Sequence, residues 1–194
     1  NHQFRRLEPP ENKTVLDDEF ITWAEVLDKN GYALASMGKW HLGSDPTTQG
    51  FDVNIAGKEW GSPSGGGYHS PYKYPNLEQK EKGEYLTDRL TDEAVKFIDD
   101  NKDEPFFLYL THYAVHTPIQ AKDDVTAKYL AKNPGKHQKN AKYAAMIESV
   151  DDSVGRVLAK VEELGLADNT VVVFFSDNGG HMGATSNHPL RGAK

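Results

Sequence analysis

The residues most able to perform chemistry in this chain lie in short segments that follow apolar stretches. The first segment is 38–43, in which Lys39 and His41 flank Trp40. If this segment is extended, successive side chains alternate between faces, so Lys39 and His41 point to one side and Trp40 to the other. An ammonium beside an imidazole is suited to holding a small oxyanion next to a proton-transferring group. Taken alone, the segment is equally consistent with a surface turn that carries these residues.

The second segment contains a histidine in a stiffened loop. His116 follows the apolar run 105–110, and Pro118 biases the residue before it toward an extended backbone. A histidine just beyond a strand is placed for proton transfer, and a satisfied structural histidine is the equally consistent alternative for His116. His112 lies nearer the strand, and we expect it to serve in packing.

The third segment offers oxygen ligands, and the end of the chain offers cations. Asp177 and Asn178 provide a carboxylate and an amide oxygen, which are the ligand types that Ca²⁺ or Mg²⁺ prefers. Two oxygens cannot fill a Ca²⁺ shell of about six to eight, and Asp-Asn-Gly is also ordinary turn chemistry. Arg191 and Lys194 follow in a further loop. Lysines, histidines and a hard-metal pair together indicate a site for a tetrahedral oxyanion ester.

The hydrophobic spacing predicts the elements that position these segments. Helices are predicted over 17–30, 86–98, 123–132 and 140–164, and strands over 32–37, 105–110 and 170–175. This alternation predicts one α/β domain over 1–194, with a mostly parallel sheet flanked by helices. Ligands bind beyond the carboxyl ends of the strands in such sheets, so we expect the three segments to meet at one rim.

A long irregular region is predicted over 43–84, where it could face a substrate. Its aromatic residues could stack on sugar rings or other aromatic groups. They are Trp60, Tyr68, His69, Tyr72 and Tyr74.

Composition excludes several classes of protein. The net charge of −7 argues against general nucleic-acid binding, because a phosphate backbone calls for a basic face. No apolar run approaches the roughly 20 residues of a membrane span. The chain has no cysteine, so disulfides, thiolate metal sites and cysteine nucleophiles are excluded.

At this point the motifs resemble those of a known family, the type I sulfatases. The segment 31–43 is similar to the second signature of that family. The segments 105–110 with 116–118, 176–179 and 189–194 resemble further parts of it in the same order. The resemblance implies an alkaline-phosphatase-like α/β fold and hydrolysis of a sulfate ester, on a sulfated glycan or an aryl sulfate. It also implies a periplasmic or secreted location.

The resemblance further implies roles for individual residues. Lys39 would contact the sulfate, and His41 would assist collapse of a sulfated intermediate. His116 and Lys194 would bind the sulfate and help the leaving oxygen depart.

The resemblance also implies a calcium ion, with Mg²⁺ as the alternative, held in part by Asp177 and Asn178. The family nucleophile is a formylglycine made from Cys or Ser in a Cys/Ser-x-Pro-x-Arg motif before the lysine signature. This chain has no cysteine, and Ser62-Pro63 and Ser70-Pro71 neither match the motif nor precede Lys39.

The family's acidic pair near the N-terminus, which completes the metal shell, has no match in residues 1–30. We therefore expect an internal piece of a longer sulfatase, inactive by itself. Two alternatives remain. One is a phosphate mono- or diester hydrolase of the same superfamily, and the other is a non-catalytic anion-binding module.

Overall fold

The computed structural model describes residues 13–192 and 194, and within them helices alternate with parallel strands. The elements are α1 (Trp23–Asp28), β1 (Ala33–Gly38), β2 (Val53–Ile55), α2 (Leu86–Asp100), β3 (Phe106–Thr111), α3 (Asp123–Leu130) and α4 (Ala141–Glu163). Short 3₁₀ turns cover Pro46–Gln49 and Ala167–Asn169. The predicted α/β class with a parallel sheet flanked by helices is confirmed.

The sheet has the order β2-β1-β3, and both pairings are parallel. Gly38, the last residue of β1, lies opposite Thr111, the last residue of β3. A Cβ on Gly38 would lie 2.0 Å from the Thr111 carbonyl oxygen, and Gly38 has a φ of 109°. Only glycine therefore allows the two strands to approach this closely at their ends. The segments that follow β1 and β3 leave the sheet at the same edge.

Helices cover both faces of β1, because alternate side chains of a strand point to opposite faces. Leu34 packs with Ala24 of α1. Ala35 and Met37 pack on the other face, against Phe97 of α2. The central strand is thus buried on both sides, as its apolar sequence predicts.

One predicted helix start needs correction. The first helix begins at Trp23 rather than near residue 17, because Thr22 and Glu25 form a capping box that fixes its first turn.

The region 43–84 contains β2 and a 3₁₀ turn, and most of its aromatic residues are not available to a substrate. Tyr68, Tyr72 and Tyr74 belong to a buried cluster, and Tyr68 is 0% exposed. The hypothesis that these three rings stack on sugars is therefore wrong. Burial raises the pKa of each phenol above its ordinary value. Trp60 is half-buried and packs edge-on against Tyr74 at a ring distance of 6.0 Å.

The third predicted strand is also wrong. Residues 170–175 form no strand, and the side chains of Val171 and Phe175 are 91% and 85% exposed. A β-prone sequence becomes a strand only when a neighbour satisfies its backbone groups. Within the described residues, no strand pairs with the run 170–175. β3 is likewise only half-buried, rather than buried on both faces, because it is the outer strand of the described sheet.

None of the helices in the described part of the chain is both long and apolar enough to cross a bilayer.

Candidate active site

Lys39 is fixed at the point where β1 ends against β3. Its backbone N–H donates to the Thr111 carbonyl at 2.7 Å, and the Thr111 hydroxyl donates to the Lys39 carbonyl at 2.7 Å. The next residue, Trp40, is buried edge-on against Phe51 at 5.9 Å. These contacts anchor both sides of the Lys39 backbone, so the point from which its side chain projects is fixed.

Three charged residues that are distant in the sequence influence one another here. Lys39 is half-buried, and this burial lowers the pKa of its ammonium below the ordinary value. The Asp177 carboxylate opposes that lowering of the Lys39 pKa, and the Lys194 ammonium adds to it. The backbone of Lys194 is held by a hydrogen bond, in which its N–H donates to the Gly180 carbonyl at 3.4 Å. The Asp177 carboxylate and the Lys194 ammonium therefore both lie within electrostatic range of Lys39.

His41 is positioned by a turn and not by an extended strand. Its φ is 64°, in the left-handed region, and its backbone N–H donates to the Lys58 carbonyl at 2.9 Å. The prediction that residues 39–41 are extended, with Lys39 and His41 pointing to the same side, is wrong because the strand ends at Gly38. The exposed imidazole of His41 packs against Gly61, where a Cβ would lie 2.5 Å from Cε1.

His116 lies in the loop after β3, and its hydrogen bonds fix its tautomer. Its Nδ1 lies 2.8 Å from the Thr117 carbonyl oxygen, which can only accept, so Nδ1 carries the hydrogen. This leaves Nε2 to take up or release a proton. The buried Tyr68 hydroxyl lies 2.7 Å from the Tyr113 carbonyl and 2.9 Å from that of His116. These contacts hold the loop that carries His116.

His112 behaves as the packing residue that its position predicted. Its Nε2 lies 2.8 Å from the Ser153 hydroxyl, and its buried Nδ1 has no hydrogen-bond partner among the described residues. Burial lowers the pKa of His112 to about 4. The ring is therefore neutral at physiological pH.

Asp177 and Asn178 lie in an exposed bend, where the Ser176 hydroxyl donates to the Asn178 carbonyl at 2.8 Å. Their side-chain oxygens fit a hard divalent cation in kind, but two ligands are fewer than Ca²⁺ requires. Across residues 13–192 and 194, no group of three or more His, Asp or Glu side chains is arranged to hold a metal. These two residues can supply only part of a metal site.

The two Ser-Pro sequences supply no evident nucleophile. The Ser70 hydroxyl is buried and donates to the Glu81 carbonyl at 2.7 Å, while the Ser62 hydroxyl pairs with that of Ser64 at 2.9 Å. The expectation that this chain alone does not turn over substrate stays a prediction.

The structure brings together Lys39, Asp177 and Lys194, and it places His116 after the strand adjacent to that of Lys39. The common rim predicted for all the candidate residues, including His41 and Asn178, stays a prediction. Sequence reasoning missed the supporting roles of Gly61 and Tyr68. The glycine-rich stretch 61–67 was the available signal for a close backbone approach.

Comparisons with known proteins agree on one family. A model of the sulfatase family matches residues 3–194. A sulfatase of Formosa agariphila is 32% identical, with an alignment covering 94% of this chain and 43% of that protein. An arylsulfatase of Hemicentrotus pulcherrimus is 30% identical over 89% of this chain and 34% of its own length. The chain thus spans less than half the length of these curated relatives.

Solved structures show the same relationship. The crystal structure of Ps i-CgsB in complex with k-i-k-neocarrahexaose superimposes with a TM-score of 0.75 at 32% identity. That superposition covers 95% of this chain and 46% of the other.

Proposed function

The chain belongs to the sulfatase family, and we propose that the full-length protein hydrolyses a sulfate ester to an alcohol and inorganic sulfate. The observation that best supports this activity is the electrostatic proximity of Lys39, Lys194 and Asp177. Two ammonium groups beside a single carboxylate favour an anion between them. Negative charge develops on the leaving oxygen as the sulfur–oxygen bond breaks, and preorganised cations stabilise it.

Each cation has a defined part in this proposal. Lys39, anchored by Thr111, binds the sulfate oxygens, and Lys194 binds them from the Gly180 loop. His116, when protonated on both ring nitrogens, donates the Nε2 proton to the leaving oxygen and becomes neutral, while Nδ1 keeps its hydrogen, which it donates in a hydrogen bond to the Thr117 carbonyl. His41, exposed against Gly61, is the second proton-transfer group.

Two groups outside these residues complete the proposed chemistry. Asp177 and Asn178 would hold part of the shell of a Ca²⁺ ion, which when bound supplies positive charge to the sulfate. The formylglycine of the family, when present, supplies the nucleophile.

We propose a sulfated glycan as the substrate class, with small aryl sulfates as simpler substrates. The support comes from a structural neighbour that is solved with a carrageenan oligosaccharide bound. A periplasmic or secreted location follows from the same resemblance and is part of the proposal.

The test uses the full-length protein with a chromogenic aryl sulfate and the matching aryl phosphate. We expect sulfate hydrolysis to exceed phosphate hydrolysis, and Lys39→Ala to lower kcat by about 10²–10³-fold. The control is Lys29→Ala, an exposed lysine that precedes β1 at the opposite edge of the sheet. Faster phosphate hydrolysis would support the phosphoesterase alternative. Sulfate binding without turnover would support the anion-binding module.

A further inference from the structure

A cleft of about 580 Å³ lies between α3, the segment 137–142 and the loop 182–186. We propose that it binds a second anionic group of a linear sulfated oligosaccharide whose reacting sulfate lies at Lys39. This inference rests on the proposed sulfatase activity. The loop 182–186 lies between the candidate residues Asn178 and Lys194 in the chain, and the Cα of Met182 is at most about 14 Å from that of Asn178. One oligosaccharide can therefore contact both places.

The charge of the cleft differs from that of the protein as a whole. The chain carries a net charge of −7, yet the residues lining this cleft include His137, Lys139 and Lys142 and, in the described part of the chain, no carboxylate. Neither lysine forms an ion pair with a described residue. Both ammonium groups are therefore available to an anionic ligand.

The two walls of the cleft are joined by side-chain hydrogen bonds. The Gln138 amide donates to the Ser186 carbonyl at 2.7 Å and accepts from the Thr185 hydroxyl. His137 stacks on His188 with ring centroids 4.1 Å apart and planes within 3°. Because these contacts already position the walls, a ligand binds without having to order them.

A second cleft of about 300 Å³ shares Lys142 with the first. It is lined also by His69 and Gln120, and by Asp123, the one carboxylate of the two linings among the described residues. Gln120 accepts a hydrogen bond from the Tyr68 backbone at 2.9 Å, so the second cleft adjoins the residue that supports the His116 loop. Two neighbouring clefts that share a lysine suit a chain ligand better than a single ion.

The neutral part of the lining favours a carbohydrate over a nucleic acid. Leu130 and Met182 offer exposed apolar surface for the C–H faces of sugar rings, and Ser186 offers its hydroxyl to those of the sugar. None of the residues lining this larger cleft, within the described part of the chain, is an aromatic side chain on which a nucleobase could stack, other than His137.

The test compares two substrates of the full-length protein. In the double variant Lys139→Ala/Lys142→Ala, kcat/KM for k-i-k-neocarrahexaose should fall about tenfold more than kcat/KM for a chromogenic aryl sulfate. The control Lys29→Ala/Lys102→Ala removes the same charge from positions that precede β1 and β3, at the far edge of the sheet. This control should change kcat/KM for both substrates by the same factor. Equal losses for both substrates in the cleft variant, or no loss for the oligosaccharide, would overturn the proposal.

A binding measurement separates this proposal from the proposed activity. By calorimetry, the oligosaccharide should bind the wild-type protein about tenfold more tightly than the cleft variant, and the advantage should fall with added salt. That result supports the cleft even if no sulfate ester is hydrolysed. The proposal would be contradicted if the wild-type protein bound the chemically desulfated oligosaccharide, or an oligonucleotide of the same charge, as tightly as the sulfated oligosaccharide.

Discussion

The contact between Gly61 and His41 allows a sharp test of whether His41 takes part in the reaction. In Gly61→Ala, the new Cβ would lie 2.5 Å from Cε1 and 2.7 Å from Nε2 of the His41 ring, whereas ordinary contacts begin at 3.4 Å. The ring must therefore retreat by about 1 Å, and a displacement of that size costs roughly 100-fold in rate at a catalytic group. Gly61 does not have a positive φ, so alanine adds no backbone strain.

The same geometry predicts that stability is largely kept. The His41 ring is exposed and can swing toward solvent, so the free energy of unfolding should change by less than about 1 kcal/mol. The measurements are kcat of the full-length protein on a chromogenic aryl sulfate and urea unfolding of the same sample. A kcat within twofold of the wild-type value would refute the reasoning.

Two comparisons make the result specific. Gly155→Ala is the matched control, since Gly155 lies in α4 with nothing within 4 Å of its added Cβ. It should leave kcat unchanged and stabilise the protein by about 0.5–1 kcal/mol. In a His41→Ala background, Gly61→Ala should cost no further activity, because the displaced ring is already gone. A full additional loss would show that Gly61 acts by another route.

Three further outcomes are expected. The pKa of His112 is about 4 in the folded state and 6.5 in the unfolded state. Between these two pH values only the unfolded state binds a proton at this ring. The free energy of unfolding therefore falls as the pH drops from 6.5 to 4. Allowing for the partial exposure of the residue, the fall is about 2 kcal/mol, and urea unfolding of His112→Gln should lack it; an identical pH profile would contradict the assignment. Tyr68→Phe removes the donor to the His116 and Tyr113 carbonyls, so urea unfolding should show a loss of about 1–3 kcal/mol, and an unchanged midpoint would count against these bonds. With only two oxygen ligands, from Asp177 and its neighbour, the 194-residue chain should bind Ca²⁺ weakly by calorimetry, and a submicromolar Kd would disprove this.

The sequence predicts those parts of the fold that depend on local pattern. The apolar run of β1 and the helical spacing of α4 appear in the structure close to their expected bounds. The strand-end rule accounts for the position of Lys39 after β1, but not for that of Asp177, because the run before Asp177 forms no strand in the structure.

Other features depend on partners that the sequence pattern does not reveal. The run 170–175 has the same composition as a buried strand, but whether it forms a strand depends on a neighbour that pairs with its backbone. The conformation of His41 is set by a hydrogen bond to Lys58, which no spacing rule anticipates. Tyrosine composition likewise does not distinguish an exposed ring from Tyr68, whose ring packs in a buried cluster where the Tyr113 and His116 carbonyls accept its hydroxyl.

The exposed run Val171–Phe175 has a consequence for the behaviour of this chain in solution. These five consecutive β-branched or aromatic residues form no backbone hydrogen bond with another described residue, so they offer a template for β-pairing with the same run of a second molecule. Asp168 and Asp177 flank the run and act as gatekeepers, but neither interrupts it. Aggregation of the 194-residue chain should therefore accelerate with concentration despite a net charge of −7.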